Sequence, residues 1–575
     1  MGVVAATFVA AATLVACAPQ PPLGVAPHSP PVSSLAALPV REVVIGVDQL
    51  VGGFNPHTLA DLTPLSAALA GLLLPSAFHQ EPTGQWVLDR TLLTAADVTN
   101  TQPFTVTYRI RHNAQWSDTT PIAAEDFGYL AEQMRTQPGV IDSAGYQLID
   151  QINSRDGGKT VEVVFHRPYA GWRSLFHYLL PAHLLKDAPG GWSRAIDAGV
   201  PVSGGPFAMT SVDRSRGEIV LERNDRYWDI PARLDRIRLR QGSEAAVIDA
   251  LRTGGAQAAL FSRPNAITEA LLRAAGPGLT TAVVPEPMLV CVLLRPASRV
   301  LNDQRVRTAV AALLDRRALI ATGVASGPSA ALRAGSVLLA PSSPGYVATA
   351  PSRGVPVRPD PDIARRLLLE AGYEPTPGGW QRAGHPLRLV VAAPANREPY
   401  GTLAARVVDQ LRGAGIDAEL REVDPDELFG VMLAPGGDAV AASRGTAALA
   451  GPELLKPSVD IVVLPQPAAG HPATQLASWY GCPLVVPASL PPAPPNPAGL
   501  CDLDLQPLIE RALTQPDPGG AVPAGVEAAL WERAVTVPLY QPAALLVSTA
   551  QLDGVRPGTP LEGPFDDAAR WQLRQ

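Results

Sequence analysis

The residue types that most often carry out catalysis are present in this chain, but none stands in a spacing that catalysis requires. Nine histidines are scattered without a His-x-x-x-His pair, and there is no Gly-x-Ser-x-Gly, no Walker loop and no Gly-x-Gly-x-x-Gly. The adjacent acids Glu125 and Asp126 are better explained as a helix start, where carboxylates interact favourably with the helix dipole. The sequence predicts a protein that is not an enzyme and holds neither a metal nor another cofactor.

Three of the four cysteines belong to the predicted folded part of the chain. Cys482 and Cys501 flank a proline-rich segment, and pairing them would close a loop of about 20 residues, which stabilises by roughly 3 kcal/mol in the chain-entropy model. Cys291 lies in the apolar run from Met288 to Leu294, so we expect a buried thiol. No two cysteines have the spacing of a zinc site. We predict a disulfide between Cys482 and Cys501, in a compartment that permits oxidation.

The fourth cysteine, Cys17, follows an uncharged apolar segment that begins at Met1. About 20 apolar residues are needed to span a bilayer, so this shorter segment suits a secretory signal. Leu14 to Cys17 resembles a bacterial lipobox, which implies that Cys17 becomes the lipidated first residue; an ordinary signal with an incidental cysteine is the alternative. Residues 18–40 contain seven prolines and no charge, which predicts an extended tether. We expect an extracytoplasmic protein that a lipid anchors to the cell membrane.

Composition narrows the function classes further. The chain has 575 residues, with 46 Lys+Arg against 53 Asp+Glu and a net charge of −7, so nucleic acid is not an expected partner. Hydrophobic residues make up 46% of the chain, which argues against general disorder. The length predicts about three to four domains.

The apolar patterns predict strands and helices of an α/β fold rather than an all-β sandwich. The clearest helix has Asp360 as N-cap, Pro361 as its first residue and Gly372 at its end. The predicted strands are Val43 to Val47, Phe104 to Arg111 and Val161 to Phe165, and two further helices are Arg305 to Thr322 and Leu403 to Ala414.

Eight short segments resemble, in the same order, segments of the family 5 extracellular solute-binding proteins. Trp116-Ser117-Asp118 followed by Pro121 is similar to the Trp-Ser-Asp-Gly-x-Pro segment of the family. This family supplies dipeptide- and oligopeptide-binding components of ATP-binding-cassette importers. The segments that carry the resemblance are residues 116–127, 168–169, 204–207, 221–228, 303–316, 360–373, 411–420 and 537–540.

The resemblance implies a periplasmic-binding-protein-like fold of type II, cluster C, with three lobes around a hinged cleft. We expect a monomer that binds its ligand by hinge closure. The implied divisions are a signal at 1–17, a tether at 18–40, a discontinuous base lobe at 41–84, 205–291 and 535–575, an inserted second lobe at 85–204, and a third lobe at 292–534.

One departure from the family pattern leaves the ligand open. Peptide-binding members carry an aspartate, after an Asp-led strand of the third lobe, that pairs with the amino terminus of the peptide. The corresponding stretch here, Asp460 to Pro467, has no acid after the strand. A buried ammonium without a counter-charge would be unfavourable. Either another acid substitutes, or the ligand is not a free peptide.

Phe54 to Thr58 and Leu73 to Phe78 resemble a mycobacterial lipoprotein branch of the family that is associated with phosphatidylinositol mannoside and lipoarabinomannan synthesis. That resemblance implies a monoacyl phosphatidylinositol tetramannoside intermediate as the ligand. Five of the candidate cleft residues have a structural alternative, an Asx-type turn for the first three and core packing for the last two. The candidates are Phe54, Asn55, His57, Gln466, Trp479 and Tyr480.

Three functions follow as hypotheses. The first is a non-catalytic protein that binds or regulates a phosphatidylinositol mannoside. The second is the peptide receptor of an ATP-binding-cassette permease. The third is a regulator with a vestigial cleft that docks on a membrane mannosyltransferase. A wide cleft with polar and aromatic walls would favour the glycolipid, and a closed, acid-lined cavity would favour peptides. A filled cleft with an exposed apolar patch would favour docking.

Overall fold

The computed structural model describes residues 40–352, 358–434, 459–483, 496–515 and 525–574. The predicted signal, the tether up to residue 39 and the predicted lipidation site Cys17 lie outside these residues. No helix within the described ranges is both long and apolar enough to cross a bilayer. The strands are β1 Glu42–Val47, β2 Phe78–Gln80, β3 Trp86–Leu88, β4 Leu93–Thr101, β5 Phe104–Ile110, β6 Ile149–Arg155, β7 Thr160–Phe165, β8 Phe207–Asp213, β9 Glu218–Arg223, β10 Arg236–Gln241, β11 Ala258–Phe261, β12 Leu279–Pro285, β13 Met288–Leu294, β14 Glu374–Thr376, β15 Gly379–Arg382, β16 His385–Pro386, β17 Arg388–Pro394, β18 Asp417–Val423, β19 Ile461–Pro467, β20 Thr536–Tyr540, β21 Ala543–Thr549, β22 Leu552–Asp553 and β23 Gln572–Leu573.

The helices confirm the predicted α/β class. Short 3₁₀ turns connect several of them, and one of these, Trp172–Ser174, lies at the ligand cleft described below. The helices are α1 Pro64–Leu73, α2 Ala124–Thr136, α3 Ala144–Gln147, α4 Ala182–Leu185, α5 Gly191–Arg194, α6 Glu244–Thr253, α7 Ala266–Ala274, α8 Gln304–Leu313, α9 Arg316–Val324, α10 Pro361–Glu370, α11 Tyr400–Gly413, α12 Pro425–Glu427, α13 Pro472–Tyr480, α14 Gln506–Thr514 and α15 Val526–Glu532.

The base lobe is built on a seven-stranded sheet with the order β12-β21-β11-β1-β10-β9-β8. Its strand β1 is paired in parallel with both β10 and β11. Val43, Ile45 and Val47 of β1 are buried on one face, while on the other face Glu42 pairs with Arg238 at 3.1 Å. This alternation is what a half-buried strand requires, and it fixes which face of the sheet carries the core.

The second lobe is a four-stranded antiparallel sheet, β4-β5-β7-β6. Helix α2 covers one face of this sheet, and its Phe127 and Leu130 are fully buried. The predicted strand from Phe104 is β5, and its alternating pattern arises because only one face meets this core.

The third lobe contains a five-stranded sheet with the order β18-β17-β19-β13-β20. Strand β17 is parallel to β18 and β19, and β13 is antiparallel to its two neighbours. Cys291 lies in β13 as the buried thiol that the sequence predicts. Cys482 and Cys501 form a disulfide at the edge of this lobe, and residues 484–495 of the loop that it closes lie outside the described part.

The structure moves the lobe boundaries by a few residues. We expected the base lobe to run to residue 291 and to resume at 535, but β13 and β20 belong to the sheet of the third lobe. The two crossings therefore lie at residues 286–287, between β12 and β13, and at 541–542, between β20 and β21. The base sheet also contains apolar strands that are buried nearly throughout, β11 and β21, so the composition of β13 does not reveal which sheet it joins.

One of two predicted helices is confirmed and the other is wrong, and in both cases an aspartate that caps a helix explains the result. Asp360 caps α10 by accepting a hydrogen bond from the backbone N–H of Ile363 at 2.9 Å, as predicted. The single helix predicted from Arg305 to Thr322 is wrong, because the structure divides this segment into α8 and α9. The side chain of Asp315 accepts a hydrogen bond from the N–H of Ala318 at 3.0 Å and so starts a new helix.

Candidate ligand-binding cleft

A cleft of about 900 Å³ lies where the three lobes meet. The base lobe contributes residues 80–84 and 559–560, the second lobe contributes 85–86, 168–173 and Phe104, and the third lobe contributes 339, 342–344 and 468–472. A site that draws on all three lobes changes shape when the lobes move, which is the arrangement that hinge closure requires.

The walls of this cleft are aromatic, aliphatic and hydroxyl-bearing, with few charges. Glu81 and Arg173 are the formally charged residues among its described lining residues. The guanidinium carbon of Arg173 lies 4.2 Å from the centroid of the Trp172 ring, in a cation–π stack. Most of the wall can therefore contact a neutral ligand without a charged side chain losing its contact with water.

An inner cavity of about 100 Å³ lies next to the cleft. Trp86, Ala469 and Gly470 line both spaces, so the two lie side by side and these residues form the wall between them. Within the described ranges no lysine or arginine lines the inner cavity. Its polar groups include one carboxylic acid, Asp142, and two histidines.

Asp142 enters the inner cavity from the second lobe. Its Oδ2 atom lies against Gly470 of the third lobe so closely that a Cβ atom at position 470 would overlap it. The residue as a whole is half-buried, but its Oδ1 atom is inaccessible to solvent and has no hydrogen-bond partner among the described residues. Burial raises the pKa of this carboxyl group to about 7, because a charged form without a partner is disfavoured in a dry environment.

Burial disfavours the charged form of both histidines of the inner cavity. Burial lowers the pKa of His57 to about 4, and its Nε2 lies 2.9 Å from the carbonyl oxygen of Tyr178. Burial also lowers the pKa of His177, whose Nε2 lies 3.9 Å from Glu562. The cavity therefore contains a carboxyl group without a neighbouring positive charge.

The loop that follows β19 is shaped by Gln475 of α13. With its amide oriented to match its neighbours, Oε1 of Gln475 accepts hydrogen bonds from the backbone N–H groups of Ala469 at 3.0 Å and Gly470 at 2.8 Å. These bonds hold the backbone of the loop against the second lobe, where Asp142 meets it.

Direct hydrogen bonds join the second and third lobes beside the cleft. The hydroxyl groups of Tyr169 and Thr474 lie 2.6 Å apart, and the N–H of Ala144 donates to Oγ of Ser478 at 3.1 Å. A Cβ atom on Gly171 would lie 2.9 Å from Nδ1 of His471 in the third lobe, so the lack of a side chain there permits this approach. These contacts join the second and third lobes beside the cleft.

The two crossings between the base and third lobes form a hinge that Gln541 ties together. Its Nε2 donates to the carbonyl oxygen of Glu286 at 2.8 Å and to Oγ of Ser342 at 2.7 Å, and its Oε1 accepts from the N–H of Ser342 at 2.9 Å. Ser342 also lines the cleft. A hinge residue is therefore bonded directly to the rim of the site.

Sequence comparison decides the family. Residues 91–458 match the profile of bacterial extracellular solute-binding proteins, family 5 Middle, over more than half of the chain. The chain belongs to family 5 of the extracellular solute-binding proteins. The resemblance drawn from the eight short segments is confirmed.

Individual members of the family resemble this chain to different extents. The probable monoacyl phosphatidylinositol tetramannoside-binding protein LpqW of Mycobacterium tuberculosis H37Rv is 34% identical, over 97% of this chain and 95% of its own length. The oligopeptide-binding protein OppA of the same strain is 31% identical over 44% of this chain and 43% of its own. The structure of oligopeptide-binding AppA from Bacillus subtilis with a nonapeptide matches with a TM-score of 0.70 and 15% identity, over 93% of this chain and 100% of that one.

This family 5 fold brings only one of the six predicted ligand residues to the inner cavity. His57 lines it. Phe54 is buried next to Arg214, whose guanidinium carbon lies 5.9 Å from its ring, and Asn55 accepts a hydrogen bond from the N–H of His57 at 3.1 Å. The Asx-type turn is therefore the role of Asn55, and neither Asn55 nor Phe54 lines the cleft or the inner cavity.

The three candidates from the third lobe are packed in its core and also do not line the cleft. Gln466 donates to the carbonyl oxygen of Val337 at 2.7 Å and accepts from the hydroxyl group of Tyr480 at 3.1 Å. Trp479 and Tyr480 are buried in the same hydrophobic cluster. The face of α13 that carries them packs on the lobe, which is the usual reason for aromatic residues at a helix end.

Sequence reasoning missed Asp142, Arg173, Trp86 and Gln475. None of these residues stands in a motif of a ligand site. Asp142 is single, in a segment between two helices, and its partner surface comes from another lobe. Many acidic residues of the chain could replace the acid that is missing after β19, and the sequence gives no reason to prefer Asp142 among them.

Proposed function

We propose that this protein binds a mannosylated phosphatidylinositol in the cleft between its lobes, without catalysing a reaction. The observation that carries the proposal is the similarity to LpqW along nearly the full length of both chains. The match to OppA covers less than half of either chain. The ligand in the name of LpqW, monoacyl phosphatidylinositol tetramannoside, is the one we propose for this chain, with a role in lipoarabinomannan and cell-envelope synthesis.

The shape of the cleft supports this ligand. At about 900 Å³ it lies at the upper end of the range for small-molecule sites, and its hydroxyl-bearing and aromatic walls suit sugar rings. Trp86 and Phe104 offer partly exposed aromatic surface in the cleft. The wide, unfilled space gives no support to the alternative of a vestigial cleft that docks on a membrane mannosyltransferase.

The loop after β19 also supports a ligand other than a free peptide. Ala468, Ala469 and Gly470 occupy the positions that follow the strand, and none of them carries a charge. The third lobe therefore supplies no counter-charge for an ammonium group at this place.

A peptide receptor for an ATP-binding-cassette permease is the second candidate, and Asp142 is the observation that favours it. Its unpartnered carboxyl group could pair with a peptide amino terminus from the opposite lobe. For either ligand we propose an extracytoplasmic monomer that is held at the membrane by a lipid on Cys17.

Native mass spectrometry of the full chain, extracted gently from its own membrane, tests the proposal. We expect bound species that differ by whole hexoses and by acyl chains, and that release inositol phosphate on hydrolysis. Co-purified peptides of mixed mass would instead establish the second candidate. The same extraction after mutation of Cys17 to Ser tests the anchor, since the protein should then leave the membrane fraction.

A further inference from the structure

The cleft and the inner cavity have three charged side chains without an ion pair among the described residues: Glu81 and Arg173 in the cleft, and Asp142 in the inner cavity. Arg173 is the only lysine or arginine among its described lining residues, and its guanidinium group has no acceptor in the described part of the chain, its contact being the face of Trp172. Asp142 is the opposite case, a carboxyl group without a donor. Arg173 is exposed to solvent, whereas Oδ1 of Asp142 is buried without a partner among the described residues, so Asp142 above all leaves open an interaction that a ligand group can complete.

The local structure holds Arg173 ready for an oxyanion. It lies in the middle of the 3₁₀ turn Trp172–Ser174, between the buried Trp172 and the buried Leu175. Stacking on the indole ring restricts the planar guanidinium group and leaves its edge free to donate two parallel hydrogen bonds. Phosphate and carboxylate oxygens are the acceptors that match this geometry.

The inner cavity sets a size limit on the group that reaches Asp142. Its volume of about 100 Å³ is below the ~150 Å³ of a cavity that holds benzene. A hydroxymethyl or ammonium group fits this space, whereas a whole sugar ring does not. In its ionised form the carboxylate only accepts hydrogen bonds, so a ligand group that pairs with this form is a donor.

We propose that the ligand binds with an anionic group, a phosphodiester, on Arg173 in the outer cleft and with a hydrogen-bond-donating end, a hydroxyl group, on Asp142 in the inner cavity. This orientation rests on the proposed function, because the glycolipid supplies both groups. The reverse orientation would bring a phosphate against the partly buried carboxylate of Asp142, and like charges repel more strongly where solvent access is reduced. A peptide offers the same two chemistries with a carboxylate and an ammonium group.

Binding titrations of the full chain with two variants test the orientation. The ligands are a phosphatidylinositol tetramannoside in detergent, its deacylated glycerophosphate form, and the matching mannose oligosaccharide without phosphate. For R173Q we expect a loss on the order of 10- to 100-fold for the two phosphate-bearing ligands, as for a charge-assisted hydrogen bond, and no change for the oligosaccharide. For D142N we expect a smaller loss that is equal for all three ligands, because the amide oxygen of Asn still accepts a hydrogen bond from a hydroxyl group but without the charge.

The control variants are R109Q and D150N, which change exposed residues of the second lobe that do not line the cleft. Both should bind like the original protein. Undiminished binding of the deacylated ligand by R173Q, or of the oligosaccharide by D142N, would overturn the orientation while the proposed function stands.

Failure of the proposed function gives a different result. If the original protein binds none of these ligands but binds peptides, the glycolipid is wrong. The two contacts are then tested with a peptide and its C-terminally amidated form. Equal binding of both forms, or full binding by D142N, would overturn the orientation as well.

Discussion

Replacing Asp142 by Asn should stabilise the ligand-free protein at neutral and alkaline pH. The carboxyl group has a pKa of about 7 in the folded protein against a usual value of 3.8. A group whose folded pKa is raised contributes stability below its unfolded pKa and loses it as the pH rises through the folded pKa. At ~1.36 kcal/mol per pH unit, the interval from 3.8 to about 7 corresponds to ~4 kcal/mol. This value is an upper limit, because the residue is only half-buried.

The assay is thermal unfolding of the original protein and of D142N from pH 4 to pH 8. At pH 4 the carboxyl group is protonated in the folded protein, so the two should unfold at nearly the same temperature. The difference should grow through the interval from pH 4 to pH 7 and remain constant above it, with the variant more stable. Glu286, whose pKa burial raises to about 8, acts in the same direction in both proteins and cancels from the difference.

Two results would refute this reasoning. Equal unfolding temperatures at pH 8 would show that the carboxylate is not destabilising, and hence that it has a partner or reaches water. A constant difference at every pH would show that the substitution acts through packing and not through ionisation. If D142N is more stable and also binds ligand less tightly, the unpartnered carboxyl group serves binding at the expense of stability.

Three further outcomes test the contact between the lobes, the hinge and the disulfide. Gly470→Ala should open the lobes and increase the radius of gyration in solution scattering, since its Cβ would overlap the carboxyl group of Asp142. The control is Gly128→Ala, at a position with open space. An unchanged radius of gyration for Gly470→Ala would contradict the contact. Gln541→Ala should lower the free energy of unfolding by about 1–3 kcal/mol and weaken ligand binding, because it removes the hydrogen bonds between the hinge and the cleft rim. An unchanged ligand affinity would show that these hydrogen bonds do not influence the ligand site. Replacing both disulfide cysteines by Ser should lower the free energy of unfolding by roughly 3 kcal/mol in chemical denaturation, and free thiols in the exported protein would show that the bond does not form.

The local elements were predictable because their signals lie within a few residues of one another. Asp360 and Pro361 start α10 through contacts inside the first turn, and the alternation in β5 follows from having one face on a core. The break between α8 and α9 was missed although the signal, Asp315, is local, since an acid inside a helical pattern can either cap a new helix or remain on an exposed face.

The assignment of strands to lobes was less predictable. The run from Met288 to Leu294 is apolar throughout, which any fully buried strand requires, so its sequence does not distinguish the base sheet from the third. The same ambiguity applies to Trp479 and Tyr480, because an aromatic pair suits a ligand wall and a core equally well until the position of α13 is known.

By itself the sequence determined the family, the α/β class and the absence of catalytic spacings, because these depend on short ordered segments. Only the tertiary structure decided which polar groups face the ligand space without a partner. Asp142 and Gly470 belong to different lobes and are brought into contact by the fold, while Arg173 stacks on a tryptophan and has no acceptor among the described residues. Whether a side chain is paired or open depends on what approaches it in space, and no pattern along the chain carries that information.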